Sequence, residues 1–193
     1  HAASILFNYF NWKTKGDTAD ALIARVEPWL ADPRLMPKSR VWWQVHRAFN
    51  EQIRGRFARS QRIMKETEAF AAADGLRWVQ FEIYHAEVTA LASSDDAAGA
   101  AAALAKLRRV LDPARRMDVA YFRFQEAGVL LLQERAREAA VAATDAVNIA
   151  RESGLPPLQI PHFLVRLALC HLRLNEIALA LAVYREAVAL ASG

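Results

Sequence analysis

Apolar positions along this chain fall at helical spacings, in segments separated by short breaks. The breaks stand at Asp32-Pro33, Gly75, Asp112-Pro113 and Gly154. Proline has no N–H to donate inside a helix, and glycine takes the left-handed position past a helix end without steric cost. Leu76 and Leu155 follow the two glycines, each placed to pack back on the helix just ended. The segments between breaks are long enough for two helices and a short turn. They predict helices over 2–13, 17–31, 38–53, 57–74, 77–92, 95–111, 114–132, 135–152, 158–173 and 176–191, paired into five hairpins.

Comparison of the chain with itself gives columns. Ala48, Ala86, Ala127 and Ala168 stand in the first helices of hairpins two to five, and twelve positions on come Ser60, Ala98, Ala139 and Ala180. Four further are Met64, Ala102, Ala143 and Tyr184, then three further Thr67, Ala105, Ala146 and Ala187. Trp43, Phe81, Phe122 and Phe163 precede the first column by five. The successive spacings of the first column are 38, 41 and 41 (48 to 86, 86 to 127, 127 to 168). Two helices approach closely where both carry small residues, and a large residue on one fills a groove on its neighbour. The columns therefore describe a repeated packing rule and predict an all-α solenoid of five antiparallel helical hairpins. The first hairpin keeps Gly16 and Ala21 but puts Tyr9 in the alanine column, so it is divergent.

These columns resemble the tetratricopeptide repeat (TPR), with its small residue in the first helix and small, aromatic and small residues in the second. The last hairpin, with Ala168, Ala180, Tyr184 and Ala187, resembles it most. The family repeat is about 34 residues, and these are longer. Long repeats with helix ends such as Ala150-Arg151-Glu152-Ser153-Gly154-Leu155 are similar to the repeat region of MalT-type, LuxR-class bacterial transcription regulators. The resemblance implies a right-handed superhelix forming one repeat domain over 1–193. Its divergent hairpin would be 1–35, with repeats at 38–75, 76–113, 114–154 and 155–193. In that family the array follows a signal-transducing nucleotide-binding domain and serves as sensor. Neither that domain nor a DNA-binding helix-turn-helix is recognisable here, and the chain starts at His1, so a piece of a longer cytoplasmic protein is expected.

Composition supports the helices. Thirty-nine alanines against seven glycines argue against a sandwich or barrel, which needs frequent turns. The net charge of +4 is spread along the chain, so no direct nucleic-acid binding is expected. One cysteine excludes an internal disulfide, no apolar run spans a membrane, and HAASILFNYF does not read as a signal peptide. No phosphate loop, dinucleotide fingerprint, zinc-protease motif or nucleophile elbow occurs, so no catalytic residue, cofactor or metal is expected. Cys170 and His171 are adjacent on a helix and point apart. Glu82 with His85, Arg47 with Glu51 and Arg123 with Glu126 read as local helix-face pairs. Arg54, Arg56, Arg59 and Arg62, and Arg108, Arg109, Arg115 and Arg116, read as solvated helix ends.

One stripe of the first helices remains after the core columns are subtracted. It reads Trp42, His46, Phe49; Gln80, Tyr84, Glu87; Tyr121, Gln125, Gly128; and His162, Arg166, Leu169. The resemblance places first helices on the concave side. Trp42, His46, Gln80, Tyr84, Glu87, Tyr121, Gln125, His162 and Arg166 are thus the candidate contacts for a protein, peptide or small-molecule inducer. Phe49 and Leu169 read better as packing. Gly128 inside a helix costs about 1 kcal/mol against alanine, which room for a bulky neighbour or a ligand would justify. The expected work is ligand sensing or protein interaction in a transcriptional regulator, with other domains of the same chain as partners. A constitutive scaffold is the alternative, and a helical enzyme domain is a third class that lacks a catalytic constellation. The last helix, from Ile177 to Leu190, is apolar nearly all round, which predicts a further covering helix or self-association.

Overall fold

The computed structural model describes residues 16–32, 34, 37–73, 76–155 and 157–192. These residues are all-α: α1 Gly16–Val26, α2 Pro37–Ile53, α3 Phe57–Ala73, α4 Arg77–Ser93, α5 Ala97–Val110, α6 Arg116–Leu132, α7 Ala136–Glu152, α8 Ile160–Arg173 and α9 Ile177–Ser192. Short 3-10 helices at Glu27–Ala31 and Pro157–Gln159 precede α2 and α8. The helix expected over 2–13, with Tyr9, and the stop at Gly75 lie outside the described residues. The helix expected over 17–31 is shorter than expected. Pro28 has no N–H for the regular ladder, so the α-helix ends at Val26 and a 3-10 turn completes the segment. No described helix is long and apolar enough to cross a membrane.

The chain divides into two compact units, residues 1–90 and 91–193. In the first, α2 pairs with α3, and Val41, Val45, Ala48, Ile63, Met64, Val79, Ile83 and Ala86 form the core. Trp43 turns the other way and packs on Leu22, Ile23, Val26 and Leu30. In the second unit α6 pairs with α7, α7 with α8, and α8 with α9. Its core is small residues from facing helices, Ala127 on α6 with Ala139, Ala143 and Ala146 on α7, closed by Phe163, Leu164 and Leu167 of α8.

One backbone turn recurs. Gly55, Asp95, Glu134 and Asn175 each adopt a left-handed φ, between 56° and 72°, and they follow one another at nearly even spacing (55 to 95, 95 to 134, 134 to 175). In each turn the next N–H closes back on a carbonyl five positions earlier. Arg56 bonds Glu51 at 2.8 Å, Asp96 bonds Leu91 at 3.0 Å, Arg135 bonds Leu130 at 2.9 Å and Glu176 bonds His171 at 2.9 Å. This closure satisfies carbonyls that the helix end leaves open. Gly154, with φ of 69°, makes a similar turn between α7 and α8, where the Leu155 N–H bonds the Ala150 carbonyl at 3.3 Å.

These turns correct the repeat register. The columns placed Ala98, Ala102 and Ala105 inside, but all three are exposed. The buried residues of α5 are Ala100, Ala103 and Leu107. Ala100 and Leu107 follow the buried pair Ser60 and Thr67 by the same interval that separates Gly55 from Asp95, so α5 runs two positions later than the columns implied. The reason is compositional. Residues 97–105 hold seven alanines, a glycine and one leucine, so a slip of two positions still meets small residues at every column. Ala100→Leu is expected to cost about 1–3 kcal/mol by overpacking, and Ala98→Leu to change stability by less than about 0.5 kcal/mol. Urea melts of the two variants decide the register, and the opposite order would restore the original columns.

Candidate functional site

The stripe residues fall in both units. In the first, Trp42 is half-buried, 5.0 Å from the Trp78 ring, and meets His46 edge-on at 4.5 Å. His46 is only 4% exposed, and burial lowers its pKa to about 4. Gln80 and Glu87 are half-buried on α4. The Tyr84 hydroxyl donates to Glu68 Oε1 at 2.7 Å. Desolvation, that bond and the charges of Glu68 and Glu87 raise its pKa to about 12. Phe49 packs on the core, 6.0 Å from the His85 ring, and His85 also stacks on Phe81. Trp42 with His46 and Phe49 with His85 thus pack on one another.

In the second unit the stripe forms a cluster between α6 and α8. Tyr121, Gln125 and Gly128 share one face of α6 by their spacing of four and three, and Phe124 stands beside them. His162 and Arg166, four apart on α8, come over the same face. Phe124 lies 4.3 Å from the His162 ring and 5.5 Å from Phe163, and the Arg166 Cζ stands 4.6 Å over its centre. Tyr121 packs 5.2 Å from Phe163 and donates its hydroxyl to Gln159 Oε1 at 3.3 Å. The rim of His162 is open to water. Packing on its ring and the Arg166 charge both hold its pKa below the ordinary range. Leu169 is exposed on α8, one turn beyond Arg166.

Gly128 explains itself here. A Cβ at this position would lie 3.1–3.3 Å from both terminal nitrogens and the Cζ of Arg166. The helix gives up about 1 kcal/mol of propensity and the guanidinium takes the space. Gln125 is 2% exposed, so it belongs to the packing under this face rather than to its surface. The stripe omitted Phe124 and Gln159, which lie off its phases. Gly128 signalled the close approach of Arg166, and nothing in the pattern marked Phe124 or Gln159.

The remaining candidate chemistry is distributed. Cys170 is fully buried, burial pushes its thiol up to about 11, and His171 instead meets Glu176 at 2.7 Å. Arg123 pairs with Glu126 at 2.5 Å as expected. The pair expected between Arg47 and Glu51 is absent. Arg47 reaches Glu27 at 2.9 Å, and the buried Glu51 takes Arg56 at 2.8 Å and Arg59 at 3.6 Å. Arg54 bonds Asp20 at 2.9 Å, so carboxylates tie down much of the first arginine cluster. Among the described residues no three His, Cys, Asp or Glu side chains are grouped to hold a metal. On the other side of α6, Leu104, Arg108, Arg123, Glu126, Leu130 and Val141 line an open groove of about 720 Å³.

No family model matches the chain, and no curated protein matches it. Among solved structures it is similar to the crystal structure of BtubC (BKLC) from P. vanneervenii. The TM-score is 0.68 at 14% identity, over 98% of this chain and 78% of that one. At this identity the likeness is one of fold.

Proposed function

We propose that this chain is a non-catalytic, TPR-like repeat module that binds a protein, peptide or small-molecule inducer on its first helices. It would serve as the sensing segment of a cytoplasmic bacterial transcription regulator, its hairpins stacked as a right-handed superhelix. The turn that recurs at Gly55, Asp95, Glu134 and Asn175 supports the repeat reading. The single observation that carries the binding reading is the α6–α8 face, where Tyr121, His162 and Arg166 set hydrogen-bonding groups among aromatic rings. Such a mixture suits recognition of a partner with both apolar and polar parts. Thermal shift of the chain against a metabolite and peptide library tests it. A bound ligand raises the melting temperature by mass action, and no stabilising compound across the library would favour the scaffold.

The scaffold reading rests on α9. Ile177, Leu179, Leu181, Tyr184 and Val188 are each about half exposed, while Ala180 and Ala187 alone are buried among its described side chains. Tyr184 is 52% exposed at the position where Met64 and Ala143 are buried, because no described element covers that face of α9. Sedimentation over a concentration series is expected to show self-association, and Leu181→Glu to reduce it by adding a charge to the apolar face. A monomer at every concentration would count against the scaffold.

A further inference from the structure

We infer that Arg166 anchors the carboxylate of a small organic acid on the α6–α8 face, an assignment that rests on reading that face as a ligand surface. Other arginines of this unit, the half-buried Arg123 and the exposed Arg108, Arg135 and Arg151, each meet a carboxylate. Arg108 and Arg123 share Glu126, Arg135 has Glu138 and Arg151 has Glu186. Among the described residues Arg166 has neither an ion pair nor a hydrogen bond, and what holds it is the Phe124 ring, 4.6 Å away. Yet its place is built. Phe124 supports one face of the guanidinium, and the missing side chain of Gly128 leaves the space that its Cζ and terminal nitrogens fill. An alanine Cβ at 128 would press on them at 3.1–3.3 Å and make the guanidinium give by a few tenths of an ångström. The arrangement fixes the orientation of a charged group whose donors are unspent.

The chemistry of the ligand follows from the surroundings. A guanidinium presents its N–H donors as a planar fork that fits a carboxylate through two parallel bonds, and it stays charged at every ordinary pH. Its neighbours are the rings of Phe124 and His162 and the buried thiol of Cys170, none of them a second cation at neutral pH. One permanent cation among rings suits a monoanion with an apolar body, and a phosphate dianion would lack its second charge.

The experiment is a titration of the chain with sodium benzoate, followed by ¹⁵N NMR at the Gly128 amide and the Arg166 Nε–H. Sodium chloride at equal ionic strength is the reference. The expected result is a saturable shift of both signals that chloride does not produce. Arg166→Gln should weaken it by about tenfold or more, read at the Gly128 amide. Gly128→Ala, which puts a methyl in the cradle while favouring the helix, should also weaken it, with the helical circular dichroism retained. Unmoved signals, or equal affinity in Arg166→Gln, overturn the assignment. Tighter binding of inorganic phosphate overturns the monoanion. Tighter binding of an N-acetyl tripeptide with a free C-terminus, lost on amidation, reassigns the site to chain termini and overturns the small acid. A library compound that stabilises the chain but leaves both signals unmoved removes this assignment and spares the module. Failure of every library compound, benzoate included, removes both.

Discussion

Phe163→Ala is expected to destabilise the second unit by about 3–5 kcal/mol. Phe163 is 1% exposed and touches the Tyr121, Phe124 and His162 rings at 5.2, 5.5 and 6.0 Å. It joins α8 to α6, and its removal leaves a hole bounded by stiff rings and by alanines that have no length to fill it. The surroundings therefore relax little, which puts the cost toward the upper end. Val165→Ala is the control, because Val165 is exposed on the same helix and its truncation should cost less than about 1 kcal/mol. Guanidinium melts followed by tryptophan emission miss this unit, since all five tryptophans lie before residue 91. Far-ultraviolet circular dichroism is the suitable probe. Equal losses for the two variants would mean that Phe163 is not the bridge between α6 and α8.

Acidification should weaken the first unit through His46. The folded ring titrates near 4 because burial beside Trp42 penalises its charge, whereas the unfolded residue titrates near 6.5. Between these values the unfolded chain binds a proton that the folded chain refuses. The stabilising contribution is therefore complete above the unfolded pKa, falls as the pH drops toward 4, and levels off once both states are protonated. The size over that window is about 3 kcal/mol at most. His46→Phe keeps a ring in the site and removes the proton, so its stability should lose this part of the pH slope. Tryptophan emission during urea melts at several pH values reads it, because Trp42 is in contact with the ring. Parallel slopes for the variant and the parent chain would place the acid sensitivity elsewhere.

Large and small residues in combination were legible from the sequence. Trp43, Phe81, Phe122 and Phe163 are all buried, as are Ala48, Ala86, Ala127 and Ala168, because an aromatic five positions before an alanine leaves few ways to turn a helix. Alanine alone was not legible. Along α5 it stands on inner and outer faces alike, so nothing in the residue names fixes which face is inside. The turns were hidden for a different reason. Gly55 carries the residue that a left-handed position favours most, Asn175 and Asp95 are types that visit it, and Glu134 accepts it under the pull of the hairpin. In the candidate face Gly128 was visible as an anomaly. Its meaning came from Arg166 and Phe124, and a partnership between α6 and α8, with the whole of α7 intervening in the chain, depends on packing that no local pattern carries.

The recurring left-handed turn makes the chain divisible. Four positions share one conformation and one closing bond, so the backbone on either side of any of them is interchangeable with that at another. Excision of residues 96–134 would join Asp95 to Arg135 and reconstitute the same corner with α4 now leading into α7. Lengthening or shortening by such cassettes needs no new loop to be invented, because each junction can reuse the same left-handed corner.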